Sequence, residues 1–279
     1  MMKIQELLAI SQKKLESSGS DEPQANAQWL LAHVLGKSRT WVLANGAEEI
    51  SSADEARYAD FIERKAQGEP LSHIVGFQPF CGLDIMVTPD VLTPRPETEE
   101  LVETATSFFD RKNRYMFLDM CTGSGCIAVA LAKKFPKAHI VAADISEKAL
   151  SVARQNALKW GVDNRIYFLK SNLWEEVLGS FDLIISNPPY IPTQVVDTLT
   201  QEVLREPRLA LDGGEDGFDV IRPLCSAAGD YLNAGGLLAL EVCKGQASAL
   251  ARGLAEYGWK AEVKKDITGI ERFVLARQI

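Results

Sequence analysis

From Glu97 onward the chain alternates short apolar segments with amphipathic ones, and this alternation strongly constrains the fold. The apolar segments are continuous, which is typical of strands that are buried on both faces. The pattern predicts an α/β domain in which helices cover both sides of a mostly parallel sheet. Seven strands are predicted, at 115–120, 139–144, 165–169, 181–186, 236–242, about 261–265 and about 272–277. Helices are predicted at about 97–109, 126–135, 146–160, about 217–233 and 246–257.

Polar residues collect where these strands end. Asp119, the turn 121–125, Asp144, Asn172 and the segment 187–190 all stand at or just beyond predicted carboxyl ends. Ligands of open parallel sheets bind outside the carboxyl ends of the strands. The sequence therefore predicts one composite site at this edge of the sheet.

Charge and composition limit the classes of protein that fit. The 279 residues include 30 Lys and Arg against 38 Asp and Glu, a formal charge of −8. Tight non-specific nucleic-acid binding draws on basic side chains that neutralise phosphates, so this balance argues against it. Stable nucleic-acid binding is not expected.

No targeting signal or metal motif stands out. No run approaches the roughly 18 uncharged apolar residues that cross a bilayer, and Glu6 interrupts the position of a signal peptide's apolar region. We therefore expect a cytoplasmic protein without membrane contact. The five cysteines form no C-x-x-C pair and the three histidines are widely spaced, so neither a disulfide framework nor a metal site is expected.

Three regions follow one another along the chain. Residues 1–72 show helical periodicity and predict a small domain of three or four helices, interpreted as a recognition module. In that domain, Ser52 and Glu55 suggest a capping box at the start of one helix. Residues 73–93 contain two β-rich segments separated by Cys81-Gly82, which predicts a hairpin connector. Residues 94–279 form the α/β domain.

The turn after the first strand of the α/β domain predicts a ligand site. Residues 123–128 fit G-x-G-x-x-A between a strand and a helix, and Asp144 stands 19 residues after Gly125. Glycines allow a tight turn, the helix N-terminus offers free N–H groups, and an acidic side chain can accept hydrogen bonds from ribose hydroxyls. A dinucleotide and S-adenosylmethionine both fit. Asp119 favours the second, because a carboxylate facing the site would suit a sulfonium better than a pyrophosphate.

A second motif, Asn187-Pro188-Pro189-Tyr190, follows the strand 181–186. It suits a reaction on a planar amide or amino nitrogen, whose delocalised lone pair makes it a poor nucleophile. The Asn187 side-chain oxygen and the Pro188 carbonyl can accept the two N–H groups of such a nitrogen and aim it at a methyl carbon. Pro188 and Pro189 stiffen the turn, and Tyr190 offers a flat surface for the target group.

The segment 191–216 is long and lacks clear periodicity. Loops of this length are usually functional lids or disordered segments. The sequence leaves open whether this segment closes over a substrate.

Several segments together resemble one family, the release-factor glutamine methyltransferases (the HemK/PrmC family). These segments are Thr88 to Glu99 with its Arg-Pro-Glu-Thr-Glu run, Ser186 to Pro192, Glu206 to Leu211 and Gly213 to Gly217. The resemblance extends over nearly the whole chain. It implies a Rossmann-like class I methyltransferase that uses S-adenosylmethionine and methylates the amide nitrogen, N5, of the glutamine in the Gly-Gly-Gln motif of class 1 peptide chain release factors.

The resemblance also implies roles for individual residues. The substrate amide would be held by Asn187, Pro188, Pro189 and Tyr190, with Asn187, Pro188 and Tyr190 as the catalytic set. The cofactor would contact Cys121, Thr122, Gly123, Ser124, Gly125, Asp144, Asn172, Leu173 and Asn187. Arg95 and Glu97 would help to shape the site.

Two residues depart from the family pattern. Cys121 stands where the family usually has Gly, and Asn172 stands where it usually has Asp. Asn keeps an acceptor oxygen for an adenine amino group but lacks the charge. We expect a somewhat weaker affinity for the cofactor and retained function.

Three other classes of function fit part of the pattern. A nucleic-acid amino-methyltransferase would use the same tetrapeptide, but the charge of −8 argues against it. A nicotinamide-dependent dehydrogenase fits the glycine turn, but it leaves residues 187–190 without a role. A non-enzymatic binding module does not explain the polar groups at the strand ends.

Overall fold

A computed structural model describes residues 2–279, which form two compact units. The first contains the residues up to Phe77 together with Thr200–Arg205. Its core is formed by apolar side chains at helical spacing, among them Ile4, Leu30 and Tyr58. The helices of this unit are α1 (Ile4–Ser17), α2 (Pro23–Leu35), α3 (Arg39–Ala44), α4 (Ser52–Ala66) and α5 (Leu71–Val75).

The helical character of this unit agrees with the sequence, but two details differ. Five helices are present rather than three or four, because α3 and α5 are too short to produce a recognisable period. Helix α4 is capped one residue earlier than expected, since the Ser51 hydroxyl accepts the Asp54 N–H at 3.1 Å. The segment Thr200–Arg205 also belongs here, through an ion pair between the buried Lys65 ammonium and Glu202.

The second unit contains Gln78–Leu199 and Glu206–Ile279. Strands β1 (Phe77–Phe80) and β2 (Leu83–Met86) form the expected hairpin, turning at Cys81 and Gly82, which both have positive φ. The remaining strands are β3 (Met116–Met120), β4 (His139–Asp144), β5 (Ile166–Lys170), β6 (Phe181–Ser186), β7 (Leu232–Glu241), β8 (Trp259–Lys265) and β9 (Glu271–Gln278).

These seven strands form one sheet in the order β5-β4-β3-β6-β7-β9-β8. Strands β3 to β7 pair in parallel, whereas β9 runs antiparallel to β7 and β8. This confirms the predicted mostly parallel seven-stranded sheet. The chain passes from β3 outward through β4 and β5 and then returns to β6 on the other side of β3, which makes the end of β3 a topological switch point.

Six helices accompany the sheet: α6 (Pro96–Thr106), α7 (Cys126–Lys134), α8 (Glu147–Lys159), α9 (Thr193–Val196), α10 (Ile221–Ala228) and α11 (Ala247–Glu256). Helix α10 is shorter than the predicted 217–233, because residues 217–220 form a turn and β7 already begins at Leu232. The segment 191–216 contains α9 and two short 3₁₀ turns, so it is neither a bare loop nor unstructured. Among residues 2–279, no helix combines the length and apolar character needed to cross a bilayer.

Candidate active site

A cavity of about 610 Å³ opens at the carboxyl ends of β3, β4 and β6, beside the switch point. Nine of the twelve residues expected to form the site line it, and these are Cys121, Thr122, Gly123, Ser124, Asp144, Asn172, Leu173, Asn187 and Pro189. The other three, Gly125, Pro188 and Tyr190, do not line it. The structure therefore brings the glycine turn, Asp144 and Asn187 to one cavity, as the parallel arrangement requires.

The glycine turn depends on left-handed backbone at three positions. Cys121, Gly123 and Gly125 have φ of 61°, 54° and 77°. Gly125 has a packing role rather than a lining one, because a Cβ atom there would lie 2.8 Å from the Ala153 Cβ of α8. At Gly123, by contrast, no atom lies within 4 Å of where a Cβ would stand, so this side of the turn is open.

Asp119 does not face the cavity, and the expectation that its carboxylate would meet the ligand is wrong. It pairs within the sheet with Ala142 and Ile185, one residue before β3 ends, and its exposed fraction is 0%. Its Oδ2 accepts hydrogen bonds from the Thr122 hydroxyl at 2.5 Å and from the Ala128 N–H at 3.0 Å. Asp119 thus connects the glycine turn to the N-terminal end of α7, on the side away from the cavity.

Burial raises the pKa of Asp119 from 3.8 to about 7, although its two hydrogen bonds act in the opposite direction. The folded chain therefore keeps this proton up to about pH 7, whereas the unfolded chain loses it near its ordinary pKa. Stability from this group is present at low pH and is lost as the pH rises through that window. Asp119 holds the turn in place, but its ionised form opposes folding at high pH.

Replacing Asp119 by Asn should remove this pH dependence while keeping an oxygen for Thr122 and Ala128. We expect the unfolding free energy of Asp119→Asn, relative to wild type, to rise by about 1 kcal/mol or more between about pH 5 and pH 8. Urea denaturation of both proteins at a series of pH values measures this difference. If the unfolding free energies of the two proteins changed with pH in parallel, Asp119 would have an ordinary pKa in the folded protein.

Asp144, at the end of β4, holds the turn from the cavity side. Its Oδ2 accepts the Gly123 N–H at 2.9 Å, and its Oδ1 accepts the Ser146 N–H at 2.9 Å. Burial raises its pKa, while the N–H groups of Ser146 and Gly123 favour the charged form. Each oxygen accepts one backbone hydrogen bond here, and a carboxylate oxygen can accept more than one. The group can therefore accept further hydrogen bonds from a ligand in the cavity.

Asn172 and Leu173 follow β5 and form the neighbouring wall. The Asn172 Nδ2 group donates to Glu175 Oε1 at 2.9 Å, so its Oδ1 atom is the group left for a ligand donor. Leu173 has φ of 50°, and its carbonyl oxygen accepts the Ser171 hydroxyl at 2.7 Å. Residue 172 thus keeps an acceptor, as expected from the chemistry of Asn.

The tetrapeptide 187–190 continues directly from β6. The Asn187 Nδ2 group donates to the Thr98 hydroxyl oxygen at 2.9 Å, whereas no described residue donates to the Asn187 Oδ1 atom. The carbonyl oxygen of the buried Pro188 likewise accepts no hydrogen bond from residues 2–279. Two acceptor oxygens of this segment are therefore uncommitted.

Tyr190 differs from the sequence interpretation. Its ring packs beside the apolar core, and its hydroxyl donates to Glu241 Oε1 at 3.2 Å. Burial and the neighbouring Glu241 raise the Tyr190 pKa, so the phenol stays neutral. Tyr190 does not line the cavity, and its role as a flat surface for the target group stays a prediction.

The sequence interpretation missed several residues that support the site. Gln246 donates from Nε2 to the Tyr190 carbonyl oxygen at 3.0 Å, and a Cβ atom on Gly217 would lie 2.3 Å from that same oxygen. Of the two residues expected to help shape the site, Arg95 lines the cavity and donates to the buried Glu206 at 2.5 Å, whereas Glu97 does not line it. One signal was available for Glu241, a carboxylate that directly follows the apolar run 236–240 of β7.

Comparison with known proteins agrees with this geometry. The model of the PrmC N-terminal domain matches residues 6–76, and that of the methyltransferase small domain matches residues 99–217. The solved methyltransferase from Pyrococcus furiosus superposes with a TM-score of 0.54 at 24% identity, over 81% of this chain and 98% of that one. The ribosomal protein L11 methylase from Lactobacillus delbrueckii gives a TM-score of 0.53 at 20% identity, over 72% and 90%. The fold is that of class I methyltransferases.

Full-length relatives identify the family within this class. The release factor glutamine methyltransferase of Deinococcus radiodurans is 43% identical over 277 residues, covering 99% of both chains. That of Moorella thermoacetica is 39% identical over 279 residues, covering 99% of this chain and 98% of its own. The chain belongs to the release factor glutamine methyltransferase family.

Proposed function

We propose that this chain transfers a methyl group from S-adenosylmethionine to the side-chain amide nitrogen, N5, of the glutamine in the Gly-Gly-Gln motif of class 1 peptide chain release factors. Family membership supports the release factor as the substrate. The observation that carries the chemistry is the Asn187 amide, whose nitrogen is bound to Thr98 and whose oxygen is uncommitted. An acceptor oxygen at the cavity wall is what a carboxamide NH₂ group requires.

The residues around the glycine turn suit the cofactor. The open side of Gly123 leaves room for the methionine part along the turn 121–125, and the Asp144 oxygens can accept the ribose hydroxyls. The Asn172 Oδ1 atom can accept an adenine amino group, and Leu173 offers an apolar contact. When bound, the cofactor supplies an electrophilic methyl group on a sulfonium sulfur.

The chain acts on the amide nitrogen chiefly by orientation. The Asn187 Oδ1 atom and the Pro188 carbonyl oxygen accept its two N–H groups, which turns the lone pair toward the methyl carbon. Pro188 and Pro189 lack N–H groups, so the turn offers little competing donation. No strong general base is required before the attack, because the gain comes from placing the nitrogen in line with the sulfur–methyl bond. As the N–C bond forms and the S–C bond breaks, S-adenosylhomocysteine would be left as the product and the nitrogen would lose one proton to water.

Mass spectrometry of a release factor after incubation with the enzyme and S-adenosylmethionine tests the proposal. We expect one added methyl group on the Gly-Gly-Gln glutamine and none when that glutamine is replaced by glutamate. DNA and ribosomal RNA, incubated in parallel with labelled cofactor, should stay unlabelled. Labelling of nucleic acid without labelling of the release factor would favour an amino-methyltransferase of nucleic acids.

We further propose that residues 1–72 recognise a surface of the release factor away from the glutamine, with 73–93 as the connector to the methyltransferase domain at 94–279. The helical unit has a core of its own, and the indole of Trp29 is exposed with the Arg39 guanidinium 5.9 Å from its ring. Exposed aromatic and Arg side chains are frequent anchors in protein interfaces.

Deleting residues 1–72 should therefore raise the KM for the intact release factor at least about tenfold, the loss expected when contacts worth about 1.4 kcal/mol are removed. A short Gly-Gly-Gln peptide cannot reach that surface, so its kcat/KM should change little. Steady-state kinetics with both substrates measures the difference. An equal loss with peptide and protein would point to damage of the methyltransferase domain itself.

A further inference from the structure

Glu241 is a carboxylate in the interior of the methyltransferase unit. It ends β7, next to β6 in the sheet, and its exposed fraction is 1%. Burying a carboxylate is unfavourable unless hydrogen bonds compensate it, so its partners matter. Oε2 accepts the Thr98 hydroxyl at 2.7 Å, and Oε1 accepts the Tyr190 hydroxyl at 3.2 Å.

The two partners of Glu241 lead back to the tetrapeptide. Tyr190 is its last residue, and Thr98 accepts a hydrogen bond from Asn187, its first residue. One buried carboxylate therefore holds both ends of the segment 187–190. Thr98 itself borders the cavity but is only 2% exposed on α6, so its hydroxyl contacts are largely shielded from water.

The polarity of this chain of hydrogen bonds determines how the Asn187 amide is turned. An ionised carboxylate only accepts hydrogen bonds, so the single hydrogen of the Thr98 hydroxyl is committed to Glu241. The Thr98 oxygen can then only accept, and it can be satisfied by Asn187 Nδ2 but not by Asn187 Oδ1. A half-turn of the amide would place two oxygens against each other and present N–H groups to the substrate.

We propose that Thr98 and Glu241 are positioning residues that hold the Asn187 amide with its oxygen toward the substrate nitrogen. The proposal rests on the proposed function, because an acceptor oxygen is useful only for a donor such as a carboxamide NH₂. Neither residue needs to touch the reacting atoms, because Thr98 acts through Asn187 and Glu241 acts through Thr98 and Tyr190. The nearly equal shapes of the amide oxygen and nitrogen make such a device necessary, since packing alone does not distinguish them.

The charges around Glu241 determine the pH at which its carboxylate is ionised. Burial raises its pKa from 4.5 to about 7, with Glu97 acting in the same direction and Thr98, Tyr190 and Arg272 in the opposite one. At about pH 8, above this value, the ionised form predominates, and that form only accepts hydrogen bonds. Measurements at about pH 8 therefore test the ionised form.

The test compares three variants of α6 in the full-length enzyme acting on a release factor. Thr98→Val keeps the shape but removes the hydroxyl, and Thr98→Ser restores it. Thr106→Val is the matched control, since Thr106 is also 2% exposed on α6 but bonds to Val102 and Lys134 instead. Thermal unfolding and cofactor titration of each variant establish that it is folded and binds S-adenosylmethionine.

We expect Thr98→Val to lower kcat about tenfold, the effect of losing one orienting hydrogen bond, and Thr98→Ser to recover to within about threefold of wild type. Thr106→Val should stay within about twofold. Wild-type-like turnover of Thr98→Val, or a loss in Thr98→Ser as large as in Thr98→Val, would overturn the positioning role. A wild-type enzyme that does not methylate the release factor would instead refute the proposed function.

Neutron diffraction of wild-type crystals grown at about pH 8 is a second, independent test of the orientation of the Asn187 amide. We expect the Thr98 hydroxyl hydrogen to point at Glu241 and the two hydrogens of the Asn187 amide to lie on the atom facing Thr98. A deuteron between Thr98 and an Asn187 oxygen would overturn the proposal regardless of the kinetics.

Discussion

Asn187→Ala is expected to lower kcat by about 100- to 1000-fold while the affinity for S-adenosylmethionine changes little. The substitution removes the side-chain oxygen that orients the target nitrogen, and Asn187 is the tetrapeptide residue with an uncommitted acceptor side chain at the cavity wall. Without it, only the Pro188 carbonyl remains to hold one of the two N–H groups. The nitrogen lone pair would then point at the methyl carbon only part of the time.

Single-turnover methylation of a release factor, together with calorimetric titration of the cofactor, separates the two effects. Asn233→Ala is a suitable control, because Asn233 is an exposed residue of β7 that bonds to Asp182 and does not line the cavity. It should retain wild-type turnover. If Asn187→Ala kept more than about a tenth of wild-type kcat, orientation by this amide would not be the main source of catalysis.

Asp144→Ala should act on the cofactor rather than on the chemical step. The variant would lose two hydrogen bonds from ribose hydroxyls, and the N–H groups of Gly123 and Ser146 would lose the carboxylate that supports them. Together these losses amount to about 3 kcal/mol of the free energy of cofactor binding. The Kd for S-adenosylmethionine should therefore rise by about 100-fold, and kcat at saturating cofactor should stay within several-fold of wild type.

Asp182→Ala is the matched control for Asp144→Ala. Asp182 also accepts a backbone N–H, from Met116 at 2.9 Å, but it lies near the start of β6, away from the carboxyl ends of the strands. Its removal should leave the cofactor Kd unchanged. An Asp144→Ala variant with wild-type Kd would exclude the ribose role, whereas a rise in both variants would indicate a general loss of sheet order.

Local pattern was sufficient for the framework of the methyltransferase unit. Most of the seven strands could be found because they contain an apolar run of the right length, and the parallel pairing of β3, β4 and β5 follows from the helices between them. Asp144 and Asn187 could be assigned to one edge because carboxyl ends of parallel strands meet there. The family motifs added the identity of the reaction to this framework.

Side-chain direction could not be obtained in the same way. Asp119 stands one residue before the end of β3, and only the register with β4 and β6 shows that it is enclosed by the sheet and capped by Thr122. Tyr190 belongs to a motif that suggests stacking, yet its hydroxyl lies in the interior against Glu241. A shift of one residue along a strand moves a side chain to the other face of the sheet and changes how deeply it is buried. Whether a side chain faces a cavity therefore depends on its exact position in the strand.

The amino-acid order alone established the α/β architecture and the residue types that meet at the carboxyl edge of the sheet, because these depend on periodicity and on short-range turn chemistry. Only the folded chain decided which way the Asn187 amide is turned. That choice depends on Thr98, 89 residues away, and on Glu241, 143 residues from Thr98. Hydrogen-bond partners at such separations are created by packing, and no local pattern in the sequence encodes them.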